Sequence, residues 1–269
     1  MSTLGSVALQ ILQSNNRQDS LMSIITGGGG TSTTSAQSIA ALRQAQTNQD
    51  REVAAKADDP LVRRELERFF ERVRNAESVE EVLDDPIARK VFLTANGLGD
   101  FANAPGMVKK ALTADLSDKS SLPYKLQDSN RAWLDTAEAY NFHDSGLAGL
   151  KDNEALAAIG DAYAEVRWRE DLEARAPGLS YALTFINNGG NLEDSLQVLG
   201  SGYAREVIST AFGIPKETAR QSLQTQMKNI DDRVNFDRMS DASYREEIAR
   251  RYLIALAGNG AGGFANISA

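Results

Sequence analysis

Apolar residues recur along most of the chain at spacings of three and four, the period of one helix face. Behind Pro60 stand Leu61, Leu66, Phe69, Phe70 and Val73, and behind Pro177 stand Leu179, Leu183, Phe185 and Ile186. Asn153–Ala174 predicts one longer helix, with Leu156, Ile159, Tyr163, Val166 and Leu172 facing inward. Aromatic-bearing helices follow from Trp133, Leu134 and Tyr140, and from Tyr244, Ile248 and Tyr252. Composition agrees: Ala, Leu, Glu, Arg and Gln are frequent and only 6 prolines interrupt 269 residues, so the expected fold class is all-α.

The pattern also repeats. "SVEEVLDDPIARKVFLTANGL" (Ser78–Leu98) and "NLEDSLQVLGSGYAREVISTAFGI" (Asn191–Ile214) share an order of features. Ser78 with Glu81 forms the signature of a capping box, and Asn191 with Asp194 is its expected counterpart. Val82 and Leu83, and Leu196 in the second stretch, open the apolar face. Ile87, Val91, Thr94, Ala95 and Leu98 then make one stripe, and Tyr203, Val207, Thr210, Ala211 and Ile214 make the other. Gly97 and Gly213 stand where each helix should stop through a positive φ. Downstream apolar positions agree loosely, Val108 and Leu112 in one half against Leu223 and Met227 in the other. The expected architecture is a helical bundle of two related, duplicated multi-helix modules, residues 58–150 and 176–257. Residues 151–175 form the connecting helix, 1–57 an N-terminal helical extension and 258–269 a flexible tail.

The first 50 residues differ from the rest. They contain no aromatic residue, proline, lysine or glutamate, and their only charges are Arg17, Asp19, Arg43 and Asp50. Leu4, Val7, Ile11, Leu21 and Ile25 follow the helical spacing, with polar Ser14 and Gln18 interrupting it. Such a stripe is marginal alone and needs a partner: the core, another copy or a different protein. These five residues are the candidate interaction site. "TGGGGTSTTS" (Thr26–Ser35) is a linker, since four glycines disfavour helix. It is not a phosphate loop, because no Lys-Ser or Lys-Thr follows. From Ala36 the pattern turns helical again, with Ile39, Leu42 and Val53 as sparse contacts.

Charge and residue chemistry narrow the function. The net charge of −8 disfavours a phosphate backbone as partner, so no nucleic acid is expected. Arg63, Arg64, Arg68, Arg72 and Arg74 interleave with Glu65, Glu67 and Glu71, as on a solvated helix face. No apolar run reaches the ~20 residues of a membrane span, and no basic region precedes the early apolar patch as in a cleaved secretory signal. Cysteine is absent, which removes thiolate chemistry and Cys-ligated zinc. His143 is the only histidine and reads as a helix-end residue, not part of a triad with its neighbours Asp144 and Ser145. Asp58–Asp59, Asp84–Asp85 and Asp231–Asp232 read as helix-end carboxylates. "NNGGNLED" lacks calcium-loop spacing and reads as an interhelical turn. No catalytic, cofactor-binding or metal residue is assigned, and no small-molecule substrate is inferred.

The stretches "DDPLVRRELERFFERV", "SVEEVLDD", "LTANGLGDF" and "MVKKALTADLSDKSSLPYKLQDSNRAWLDTAEAYNF" follow one another from Asp58 to Phe142. This series resembles the bacterial family known as domain of unknown function 1217. Asn130 and Trp133 depart from the family pattern, which has aromatic and basic residues there. The resemblance implies an all-helical fold and an association with bacterial flagellar gene loci, and it carries over no functional residue. With the weakly charged, Ser/Thr/Gln-rich start, the expectation is a non-enzymatic structural or interaction protein of the flagellum. It would self-associate or bind protein partners, and be cytoplasmic or exported without a cleaved signal through the flagellar export apparatus. A cytoplasmic assembly factor or adaptor is the alternative, and an enzyme of unknown class the least supported reading.

Overall fold

The computed structural model describes residues 35–127 and 130–261. Leu4, Val7, Ile11, Leu21 and Ile25, the glycine run and the last eight residues lie outside them. Among the described residues every regular element is helical, so the fold is all-α. In chain order the α-helices are α1 (Ser35–Ala57), α2 (Pro60–Asn75), α3 (Val79–Asp84), α4 (Pro86–Ala95), α5 (Pro105–Leu112), α6 (Leu122–Leu126) and α7 (Ala132–Tyr140). They continue as α8 (Phe142–Ser145), α9 (Asn153–Arg175), α10 (Leu179–Asn188), α11 (Ser195–Gly200), α12 (Gly202–Ala211), α13 (Leu223–Asp231) and α14 (Ala242–Ala261). No helix among the described residues is long and apolar enough to cross a membrane.

The described chain divides into two compact units, residues 50–168, and residues 35–49 with 169–261. Helices α1 and α9 each contribute to both, so the stretch expected as a connecting helix supplies core residues to each unit.

In the first unit, local chemistry fixes where helices begin. The Asp59 carboxylate accepts from the Leu61 N–H at 2.9 Å, and Pro60 occupies the first helical position of α2. Asp85 does the same for α4, accepting from Ile87 at 2.9 Å and Ala88 at 3.0 Å ahead of Pro86. Helix α2 buries Val62, Leu66, Phe69 and Val73. Leu61, expected on this face, is instead 55% exposed, because the inward stripe runs through Val62. Helix α2 packs on α4, and α5 packs on α6 and α7. An aromatic cluster closes the core, with Phe92 4.9 Å from Tyr140 edge-on and Phe101 4.9 Å from Trp133.

In the second unit α10 is buried along nearly its whole length, and α12 and α14 pack on it and on each other. Pro177 does not open α10. Gly178 precedes the helix at φ 83°, and a Cβ there would lie 2.3 Å from Leu256 Cδ1. Tyr244, Ile248 and Tyr252 are buried on α14 as the pattern predicts. Burial, reinforced by the charges of Glu206 and Glu173, pushes the Tyr252 hydroxyl far above its ordinary pKa.

The two units share a run of hydrogen bonds, each member of the second set following its counterpart at one constant interval in sequence. Ser78 accepts from Glu81 N–H at 3.3 Å, and Asp194 accepts from Gln197 N–H at 2.8 Å. The return arm runs from Glu77 N–H to Glu81 in one and from Glu193 N–H to Gln197 in the other. The second cap is therefore Asp194 and not Asn191, and its box partner is Gln197. This shift also moves Leu196 off the apolar face, where it stands 50% exposed. Six-residue helices follow in both, then ten-residue helices α4 and α12 capped by Asp85 and Ser201. Each ends on a glycine of positive φ, 69° at Gly97 and 62° at Gly213. Beyond it, Leu98 N–H bonds Leu93 O at 2.7 Å, and Ile214 N–H bonds Ser209 O at 2.8 Å.

Candidate functional site

The second unit carries a groove of about 460 Å³ between α12, the 3-10 turn Lys216–Arg220 and α13. Its floor is apolar, from Leu199, Ile214 and Ile230, and Pro215 and Ala219 form one wall. The other wall is the side of α12 bearing Arg205, Glu206, Ser209 and Thr210. Arg205, Glu206 and Lys216 place charges of both signs along its lining, and some of the polar groups have hydrogen-bond partners. Arg205 Nη1 donates to Leu199 O at 3.2 Å, Thr210 Oγ1 donates to Glu206 at 3.4 Å, and Gln226 Nε2 donates to Gln221 O at 2.9 Å. The groove thus combines apolar residues with charged and neutral polar ones.

The same region of the first unit is closed. Leu83, Leu93 and Leu98, which correspond in position to Leu199, Ser209 and Ile214, are fully buried. Arg89, the counterpart of Arg205, is buried and donates to Leu83 O at 2.6 Å, Ala102 O at 2.7 Å and Asp84 O at 3.3 Å. Trp133 is buried in the core of this unit, Phe101 packs against that core with its ring 4.9 Å from Trp133, and α7 lies against α5. In the second unit α13 stands in the place of α5, resting on α11 and the Lys216–Arg220 turn, and Leu223 stays 49% exposed with Met227 half-buried. The counterparts Leu83, Arg89, Leu93 and Leu98 are thus buried in the first unit, whereas Leu199, Arg205, Ser209 and Ile214 border a groove in the second.

The remaining sequence candidates fall apart spatially. His143 is exposed on the short α8, and its neighbour Asp144 accepts from Asn141 Nδ2 at 3.0 Å. Asp59 and Asp85 are caps, and Asp232 pairs with Lys228 at the end of α13. The arginine-rich face of α2 is only partly a solvated one. Arg68 and Arg72 reach the buried Asp85 carboxylate at 2.8 and 3.6 Å. Burial would push the Asp85 carboxyl up, but the Ala88 N–H, the Arg68 guanidinium and the Ile87 N–H outweigh it and hold the group below the usual range. Glu65 follows the same logic. Burial raises it, while hydrogen bonds from Lys90 and the Tyr163 hydroxyl prevail and lower it. Among the described residues no group of three or more His, Asp or Glu is placed to hold a metal ion. The arrangement brings none of these carboxylates to the groove.

The model of a family described as protein of unknown function (DUF1217) matches residues 95–244, more than half of the chain. The chain belongs to the DUF1217 family. The matched span begins at the end of α4 and reaches α14, so it contains the groove and all of its lining residues. A crystal structure of a protein from Agrobacterium tumefaciens is similar in fold, at 21% identity and a TM-score of 0.64, covering 85% of this chain and 96% of that one. No curated protein matches the chain.

The groove escaped sequence reasoning because its residues look ordinary one at a time. The available signal was Ser209 where the first unit has Leu93, with no downstream equivalent of Trp133 before α14.

Proposed function

We propose that this DUF1217 protein is a non-enzymatic structural or interaction protein of the bacterial flagellum, acting by self-association through helical surfaces and its apolar N-terminal segment. The observation that carries the reading is the groove of the second unit, with Leu196 and Leu223 half-exposed on α11 and α13 of the same unit. An apolar surface left open on one of two otherwise similar units is what an interaction site looks like before its partner arrives. The matched caps, buried faces and glycine stops support reading the two units as one module duplicated, with the second adapted for binding. The flagellar assignment draws on the loci that the family resemblance implies and on the low charge of the first 50 residues.

A cytoplasmic adaptor that receives a partner's helix is the second reading, and the groove itself favours it. Affinity purification from the native cell, done separately on cytosol and culture medium, tests both. A structural component is recovered from the medium only when the flagellar export gate works. An adaptor stays in the cytosol with one flagellar protein. Recovery of neither flagellar partners nor exported chain would remove the flagellar assignment.

A further inference from the structure

We infer that the groove of the second unit recognises a carboxylate flanked by aliphatic side chains, presented by a short acidic segment of a protein partner. The inference rests on the interaction reading above and gives the partner its chemistry. It is separate from the N-terminal stripe, whose one carboxylate is Asp19. Two matched arginines carry the argument. In the first unit Arg89 turns its guanidinium inward. Its Nη1 donates to Leu83 O at 2.6 Å and Asp84 O at 3.3 Å, and its Nε donates to Ala102 O at 2.7 Å. Arg205 repeats only the first of these bonds, Nη1 to Leu199 O at 3.2 Å, and it is exposed. The acceptor for Nε is engaged for a local reason. Thr218 follows Arg205 at the interval by which Ala102 follows Arg89, and its carbonyl accepts the Gln221 N–H at 3.0 Å as the Lys216–Arg220 turn closes. A guanidinium presents its N–H donors as a rigid fork. Most of the Arg205 fork makes no bond to the protein among the described residues, and the residue lines the groove.

Charge complementarity then selects the partner. Lys216 lines the same groove and, like Arg205, forms no ion pair among the described residues. Glu206 is the one lining anion, and it accepts from Thr210 Oγ1 at 3.4 Å. Two cations against one anion leave the lining at net +1, in a chain whose net charge is −8. The groove is therefore opposite in sign to the chain that carries it, and it favours an anionic partner. An arginine fork matches the paired oxygens of a carboxylate. Leu199, Pro215, Ala219 and Ile230 add apolar surface, which a bare anion leaves unused and an aliphatic side chain beside a carboxylate covers. A volume of about 460 Å³ suits a few side chains of one segment and not a folded domain. The fitting sequence is Asp or Glu next to Leu, Ile or Val.

The test is selection from a display library of random decapeptides by the full-length protein. Wild type is compared with the double variant Arg205→Met, Lys216→Met and with Ala219→Trp, which fills the groove from its wall. All three positions are exposed, and thermal melts confirm that each variant folds. Wild type should enrich peptides in which Asp or Glu adjoins Leu, Ile or Val. The double variant should lose the acidic preference, and Ala219→Trp should enrich nothing. The strongest peptide then enters a double-mutant cycle read by fluorescence anisotropy. Gln in place of its carboxylate, and Arg205→Met in the protein, should each weaken binding about tenfold, and the two together no more than either alone. Enrichment of basic or uncharged peptides, or of none, overturns the inference. So does acidic enrichment that the double variant leaves unchanged, and so do losses that add in the cycle. Each of these outcomes leaves the interaction reading to its own test, recovery of partners from the native cell.

Discussion

At the scale of single residues, matched positions have different duties, and stability measurements should separate them. Arg89 is buried and satisfies three backbone carbonyls, whereas Arg205 is exposed and makes one 3.2 Å bond. Arg89→Met leaves those carbonyls without a donor and should cost roughly 2–4 kcal/mol in urea unfolding. Arg205→Met should stay within about 0.5 kcal/mol. The glycines divide in the same way. Gly213→Ala introduces only the positive-φ penalty, about 1 kcal/mol, since open space surrounds its Cβ position. Gly178→Ala adds collisions with Leu256 and Tyr252 and should destabilise by about 1–3 kcal/mol more. Asp85 supplies a pH test. Its folded-state pKa lies below the ordinary value of about 3.9, so its contribution is present above that pH and is lost as pH falls through the lower folded value. Asp85→Asn should therefore be less stable than wild type by about 1 kcal/mol near neutrality, a figure discounted for the half-exposed Arg68 and Arg72. The gap should close as pH falls below the ordinary carboxylate range in acid titrations of the two proteins.

At the scale of elements, much of the fold was readable because local chemistry and burial agree. Asp59-Pro60 and Asp85-Pro86 state their helix starts in sequence, and Gly97 and Gly213 state their stops. On α9, Leu156, Ile159, Tyr163 and Leu172 are buried as expected and Val166 is only partly so, and the aromatic positions of α14 point inward. The failures have physical causes. At 191–197, three potential caps, Asn191, Asp194 and Ser195, crowd one turn, and sequence does not say which hydroxyl or carboxylate meets the free N–H groups. The structure selects Asp194, and that choice rotates Leu196 outward. Leu61 lost to Val62 because a helix has only one inward face and two adjacent apolar residues compete for it. The groove was not legible because its lining comes from α12, the Lys216–Arg220 turn and α13, and no spacing in the sequence marks those residues as neighbours. If Leu196 and Leu223 are surface residues kept for contact, the Leu196→Gln, Leu223→Gln double variant should change unfolding free energy by less than about 1 kcal/mol. Its association should weaken nonetheless, as light scattering across a concentration series would show.

At the scale of the whole molecule, two helical units share the local design of their caps and glycine stops, and the second carries a groove beside α12 and α13. On the proposed reading, this DUF1217 protein acts through what it docks with, and the weakly charged N-terminal stripe is the candidate segment for that contact. The most direct measurement is sedimentation velocity of the full chain beside a chain lacking residues 1–34, from low micromolar to high micromolar concentration. The full chain should shift to larger species as concentration rises, while the shortened chain sediments as a folded monomer throughout. Identical sedimentation of the two, at every concentration, would contradict self-association through the N-terminal segment.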